Sequence, residues 1–304
     1  MRPALPPLPP LPLPTRDGVG PSCVGLPTGP WPTITDFLVE RFPAINRATW
    51  MARMDAGTVV DEHGERVTAD RRYQAPLRVY YYRALDVEPR IPFDEIVLFQ
   101  DNELVVADKP SFLPVTPTGK YVQESLLVRL KRKLGLDDLA PLHRIDRSTS
   151  GLVLFSVRPA TRGAYTTLFA RRAVEKHYEA VVTWRPGATM PPIYRSRLVD
   201  DDHFMRMREV PGEPNSETGF ALREARDGCA LLDLSPVTGR KHQLRVHCMA
   251  LGLPIVNDPI YPDLLPAGSD DFEKPLQLLA RSVAFRDPLT GDARHFESPR
   301  RLAL

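Results

Sequence analysis

The densest polar cluster in the sequence is LHRIDRSTSG at residues 142–151, which runs into the apolar stretch GLVLFSV. It sets one carboxylate, Asp146, between Arg144 and Arg147, and follows them with Ser148, Thr149 and Ser150. Neighbouring positive charge favours the ionised form of a carboxylate. An ionised carboxylate can act as a nucleophile or a base. The same residues would also serve as an Asp cap and ion pair on a surface turn, and composition alone favours that plainer reading.

A second cluster, VTGRKHQLRVH at residues 237–247, holds Arg240, Lys241, His242, Arg245 and His247 and no acid. Thr238 and Gly239 open a predicted helix over residues 241–251, where free backbone N–H groups favour a phosphate or carboxylate. A charge run is usually a solvated face, but Leu244 and Val246 interleave this one and turn at least one arginine inward. His242 and His247 lie five apart rather than four, and no HExxH or paired Cys/His spacing accompanies them. A metal site is therefore not expected. The third element is VEKHYEA at residues 174–180, a predicted strand whose alternation puts Lys176 and Tyr178 on one face and His177 and Glu179 on the other. A strand tyrosine ordinarily packs; its ring would also suit stacking on a base. No P-loop, GxGxxG turn or GxSxG elbow is present, so nucleotide hydrolysis, dinucleotide redox and serine hydrolase chemistry lose support.

These clusters need elements to hold them. Strands are expected at 95–99 and 103–108 about a turn at Asp101 and Asn102, at 151–157, at 174–183, at 219–225 and at 230–234. A helix over 121–134 carries Leu126, Leu127, Leu130 and Leu134 on one face and Arg129 to Lys133 on the other, with Gly135 as its stop. Another over 159–172 has proline in its first turn. Strands and helices do not alternate as βαβ repeats, so the fold class is α+β with a mixed sheet rather than a doubly wound one.

Ahead of this region lie two short helices, one capped by Thr35 and carrying Phe37, Leu38 and Phe42, the other over 47–56 with Trp50 and Met54. A small hairpin follows from Gly57 through Val67. Residues 1–32 hold 11 of the 33 prolines, and a disordered or polyproline arm is expected there.

The 304 residues carry 40 Lys+Arg against 38 Asp+Glu, a net charge of only +2, so any nucleic-acid binding must come from locally concentrated charge. Cys23, Cys229 and Cys248 form no CxxC pair, which fits free thiols in a reducing compartment. No run of about 18 apolar residues appears. A cytoplasmic, membrane-free protein is the expectation, with a monomer as the default state.

HRIDRSTSG resembles the HR-[LI]-D-x-x-T-S-G signature of the RluA-type pseudouridine synthases. TGRKHQLRVHCMALGLPIVNDPIY is similar to the family's second signature, ADKPSFLPV to its K-P segment, KHYEA to its K-x-Y-x-A strand, and LQLLARSVAF to its closing helix-to-strand segment. The segments stand in family order across residues 107–285. The resemblance implies a mixed, largely antiparallel sheet with a central cleft over residues 89–304. The helix pair and hairpin at residues 33–88 resemble an S4 RNA-binding domain. It further implies isomerisation of uridine to pseudouridine in structured RNA, rRNA or tRNA, with no cofactor and no metal.

By the same resemblance Asp146 is the catalytic aspartate and Arg144 fills the gap left by a flipped nucleotide. Tyr178 stacks near the target base and assists proton removal from C5. Arg245 pairs with the aspartate, with Arg240 as the weaker choice for that role. Lys109, Arg147, Lys176, Arg240 and His242 are the further expected RNA contacts, and the basic residues at 129–133 and 171–172 would hold phosphates. Departures are Ile145 for the commoner leucine, Asn257 in NDP where the family has GDP, and the sequence after Lys109 and Pro110. A non-catalytic RNA-binding assembly factor on the same fold is the alternative, and a hydrolase pairing Asp146 with His143 a distant third.

Overall fold

The computed structural model describes residues 13–83, 88–185, 187–226, 228–266 and 268–304. It divides into two compact units, Met1–Glu88 and Pro89–Leu304. Among the described residues no helix is long and apolar enough to cross a membrane.

The first unit contains β1 (Ser22–Leu26), α1 (Ile34–Arg41), α2 (Arg47–Asp55), β2 (Val59–Asp61) and β3 (Leu77–Tyr81). Its antiparallel sheet has the order β1-β3-β2. Trp50 and Met54 from α2 and Phe37 and Leu38 from α1 bury against Val59, Val79 and Tyr81. The cap of α1 is Thr33, not Thr35. The Thr33 hydroxyl accepts from the Asp36 N–H, while the Asp36 carboxylate accepts from Thr33. Thr35 lies inside the first turn, where its hydroxyl donates to the Ala69 carbonyl at 2.8 Å.

The expected disordered arm is also corrected for the part described. Residues 22–26 are free of proline, so their N–H groups can enter a ladder, and β1 pairs with β3 from Ser22 to Leu26. Leu13 and Val19 are buried as well. The richest proline run, up to residue 12, lies outside the described residues.

The second unit contains β4 (Ile96–Gln100), β5 (Leu104–Lys109), α3 (Leu126–Leu134), β6 (Ala140–Pro141), β7 (Ser150–Ser156), α4 (Pro159–Ala170), β8 (Glu175–Thr183), β9 (Ile193–Asp200), β10 (Met207–Val210), β11 (Ser216–Arg226), β12 (Cys229–Pro236), α5 (Gln243–Ala250), β13 (Leu278–Arg286) and β14 (Ala293–Glu297). Eleven strands form one sheet in the order β10-β9-β11-β12-β8-β13-β7-β5-β4, with β14 on β13 and β6 on β7. Among the described residues only β13 and β7 run parallel. The α+β class with a mixed, largely antiparallel sheet holds.

Both faces of the sheet are covered where it is most apolar. In β5, Val105 and Ala107 pack with Leu126 and Leu130 of α3, while Leu104 and Val106 face Tyr165 of α4. Farther along, Leu244 and Cys248 of α5 pack on Ala180, Val182 and Leu232.

Helix α3 begins at Leu126, five residues later than expected. Its first amides are already engaged by the preceding loop, Leu126 N–H to Pro114 O at 2.8 Å and Leu127 N–H to Val115 O at 3.0 Å. Its basic face is not uniformly free. Arg129 donates to the carbonyls of Phe93 at 2.6 Å and Ile91 at 2.7 Å and pairs with Glu95 and Glu124, so it braces the fold rather than offering charge to a phosphate. The LQLLARSVAF segment enters directly as strand β13, with no helix between Ala250 and Leu278 among the described residues.

The sheet forks at β13. Leu279 and Ala280 pair with β7, whereas Ser282 to Arg286 pair with β14 on the same edge. Gly151 makes the β7 side of this fork possible. Its φ is +107°, and a Cβ there would stand 2.3 Å from the Ala280 carbonyl oxygen. Gly151→Ala is therefore expected to destabilise the protein by roughly 3 kcal/mol, from backbone strain and a clash with backbone that cannot yield. Denaturant unfolding of the purified variant measures this, and an unchanged midpoint would contradict it.

Candidate active site

The Asp146 loop leaves β6 and enters β7 at the fork. Its conformation is set from several sides. Leu142 N–H donates to Leu154 O at 2.9 Å, and Thr149 N–H closes a turn on Asp146 O at 3.1 Å. His143 is committed to the same scaffold, since its Nε2 accepts the Leu154 N–H at 3.1 Å and its ring stacks on Phe169. Burial, with a further contribution from the charge of Lys176, pushes the His143 imidazole down to about 4. With that nitrogen occupied, His143 is not placed to serve Asp146 as the base of a hydrolase.

Lys109 braces the loop from beneath, which corrects its expected role. It is fully buried, and its Nζ donates to Pro110 O at 2.9 Å, Leu113 O at 2.8 Å and Arg147 O at 3.0 Å. Burial holds its ammonium well below the usual lysine range, with the charge of Asp146 working against that. All three donors are engaged, so Lys109 cannot reach RNA. Arg147 is half-buried over Tyr121 and Phe112 and ion-paired with Asp270.

Opposite the loop, residues 238–242 turn into α5. Gln243 organises this turn by accepting from the Thr238 hydroxyl at 2.7 Å and from Arg240 N–H at 3.1 Å, while its amide donates to Glu217 O and the Thr218 hydroxyl. His242 adopts φ +54° at the entrance to α5, a conformation that costs a non-glycine residue energy. Its Nδ1 lies 3.1 Å from the Tyr261 hydroxyl, and its Nε2 lies 3.9 Å from Asp146. Burial pushes this imidazole down to about 4 as well, even though Asp146 pulls the other way.

Arg245 points inward from α5, with 1% of its side chain exposed, and lies between two carboxylates. Its Nη1 donates to Asp146 at 3.2 Å. Its Nε and Nη2 donate to the two oxygens of Asp258 at 2.8 and 2.5 Å. Burial works against the arginine's charge, but the hydrogen bonds it donates to Asp258 and the charge of Asp146 outweigh it and push the guanidinium further up. Asp258 also accepts the N–H groups of Ile260 at 2.8 Å and Tyr261 at 3.0 Å. It is a positioning residue that the sequence reading passed over as part of a turn. A usable signal was present, because an inward arginine with a single carboxylate leaves most of its donors unpaired.

Tyr178 on β8 stands opposite Ala280 of β13, at the fork. Burial and then the nearby charge of Asp146 push its phenol up, so the hydroxyl stays protonated. That favours a stacking and donor role over a resting phenolate base. Lys176 shares its face, with Nζ 3.4 Å from Thr238 O.

These residues meet at one open pocket, lined by Arg144, Asp146, Lys176, Tyr178, Arg240, His242 and Arg245 among others. A wider cleft shares much of that lining and adds His143, Arg147, Arg172 and Lys241. Arg144 is exposed and, among the described residues, makes no ion pair. Of the expected site residues, only Lys109 lies outside both cavities. Among the described residues no group of three or more His, Cys, Asp or Glu is arranged to hold a metal ion.

Residues 103–250 match the RNA pseudouridylate synthase family. The dual-specificity RNA pseudouridine synthase RluA of Pasteurella multocida is 32% identical over 214 residues, covering 69% of this chain and 95% of the relative. The mitochondrial tRNA pseudouridine(32) synthase of Saccharomyces cerevisiae is 34% identical over 170 residues, 54% of this chain and 36% of the relative. In three dimensions the chain resembles human RNA pseudouridylate synthase domain containing 1, with TM-score 0.56 and 23% identity over 70% of this chain and 86% of that one. The chain belongs to the RluA-type RNA pseudouridine synthases, enzymes that isomerise uridine to pseudouridine in RNA.

Proposed function

We propose that this enzyme isomerises specific uridines in structured rRNA or tRNA, and that Asp146 is the reacting carboxylate. The observation that carries the reading is the Asp146–Arg245 contact of 3.2 Å in the pocket that both residues line, with the arginine held from behind by Asp258. The similarity to a synthase named for tRNA supports the substrate class.

The isomerisation breaks the N1–C1′ bond, turns the uracil and forms C5–C1′. A proton leaves C5 and N1 gains one, so no oxidant or group donor is consumed. A uridine in a paired or stacked RNA must first be extruded, at a cost of a few kcal/mol. Arg144, exposed at the mouth of the pocket, is suited to fill the vacated stack and offset part of that cost. Asp146 then attacks C1′ or C6 or removes a sugar proton, the three routes open to an anionic oxygen at this position. Tyr178 stacks against the uracil and donates from its protonated hydroxyl. Arg240, Lys241 and Arg172 at the rim supply charge for phosphates.

The first unit supplies affinity as an S4-like RNA-binding domain. Its helix pair and hairpin support this reading, as do exposed Arg41, Arg66, Arg72 and Arg78. The protein acts as a monomer in the cytoplasm; its three cysteines without disulfide partners fit a reducing compartment.

Mapping pseudouridines across the transcriptome of cells with and without the protein tests the substrate class directly, and no lost site in rRNA or tRNA would overturn it. Asp146→Asn is expected to fold normally and abolish product, because an amide is neither nucleophile nor base. Chromatography of nucleosides after incubation with substrate RNA reads this, and turnover within about tenfold of wild type would remove Asp146 from the reaction. A chain beginning at Pro89 is expected to retain isomerisation with weaker RNA binding and a shallower salt dependence. Equal affinity at every salt concentration would assign the first unit another task.

A further inference from the structure

The β9–β10 connection carries the most exposed large apolar side chain among the described residues. Phe204 is 80% exposed, against 49% for Ile193, the next highest. Its position is fixed by several contacts. Arg206 N–H donates to His203 O at 2.8 Å, and His203 N–H donates to the Asp201 carboxylate at 3.1 Å. The His203 ring lies nearly parallel to that of Phe204, with centroids 5.1 Å apart. The tip is therefore an ordered turn that holds an aromatic ring in water.

Two further contacts tie the tip to the catalytic cleft. The Phe204 carbonyl accepts from Lys241 Nζ at 2.9 Å, and Lys241 lines the cleft beside Arg240 and His242. Arg206 donates to Pro262 O at 3.0 Å and lies over Tyr261, the residue that holds His242. The Phe204 backbone thus lies one lysine side chain away from the cleft.

We propose that Phe204 is a stacking platform for an unpaired base of the substrate RNA beside the extruded uridine. The inference rests on the RNA-isomerase reading of the Asp146 cleft and extends it to a specificity-determining contact. Charge decides the orientation. Asp200, Asp201 and Asp202 share the connection with Arg206 and Arg208, Asp202 pairing with Arg208 at 3.5 Å, so its own charges offset one another and phosphates are drawn to Arg240 and Lys241 at the cleft. What the tip offers is a neutral ring face, which every base can match with its own. A protein partner or a second copy of the chain could also cover a phenyl ring, and the test separates these.

An RNA stem–loop with 2-aminopurine at successive loop positions serves as the probe, mixed with full-length protein. Wild type is expected to change the fluorescence at one loop position by stacking. Phe204→Ala should lose that signal and bind about tenfold more weakly. Phe204→Trp should restore both, and Phe204→Leu, apolar but without a π-face, should restore neither. Loss of tritium from RNA labelled with [5-³H]uridine, followed in the same samples, reports isomerisation separately. No tritium release by wild type counts against the enzyme reading, while the fluorescence still decides the platform. Unchanged affinity and signal in Phe204→Ala would overturn the proposal. So would full rescue by leucine, or a wild-type dimer that Phe204→Ala converts to monomer without change in RNA affinity.

Discussion

Arg245 is buried between Asp146 and Asp258, and its five donors decide how the cleft is built. A lone guanidinium in this position would be costly, since a buried charge needs both a partner and hydrogen bonds. Asp258 meets that need with two contacts and is itself 1% exposed, closed in by the amides of Ile260 and Tyr261. The remaining nitrogen is left for Asp146, which retains 28% exposure toward the pocket. One carboxylate is thus a structural counterion and the other is available to substrate. The asymmetry follows from their surroundings and not from residue type.

The rest of the second unit serves that arrangement. α5 brings Arg245 in over a sheet face lined by Ala180, Val182 and Leu232. The fork in β13 brings β7 and β8 close enough for Asp146 and Tyr178 to share a pocket, and the close approach at Ala280 demands glycine at position 151. Lys109 closes the underside of the Asp146 loop with three carbonyl contacts, an internal use of a lysine that removes it from RNA contact. His143 and His242, both pushed down to about 4 by burial, remain neutral through the physiological range.

Much of this was legible in the sequence because the site motifs are local. HRIDRSTSG and TGRKHQLR carry their chemistry within about ten residues each, and both line the same pocket. Strands with simple apolar patterns, such as β5 and β7, were equally plain. Features that depend on distant partners were not. β9 reads IYRSRLVD, whose charges mask its pairing with β11, and the start of α3 is set by carbonyls of the loop before it. The helix expected ahead of β13 rested on resemblance alone. Arg129 and Lys109 look like RNA ligands in one dimension, and only their buried carbonyl partners reveal otherwise. Asp258 was hidden in a turn 13 residues beyond Arg245.

The coupling of Arg245 to Asp258 is the claim on which the account turns, and a double-mutant cycle on the single-turnover rate measures it. Arg245→Met and Asp258→Asn should each slow isomerisation at saturating RNA with little change in RNA affinity. The double variant should be no slower than Arg245→Met by more than about twofold, because Asp258 acts only through the arginine. Its thermal stability should exceed that of Arg245→Met, in which Asp258 is left buried and unpaired. Effects that multiply in the double variant, or an Asp258→Asn enzyme as fast as wild type, would contradict the account.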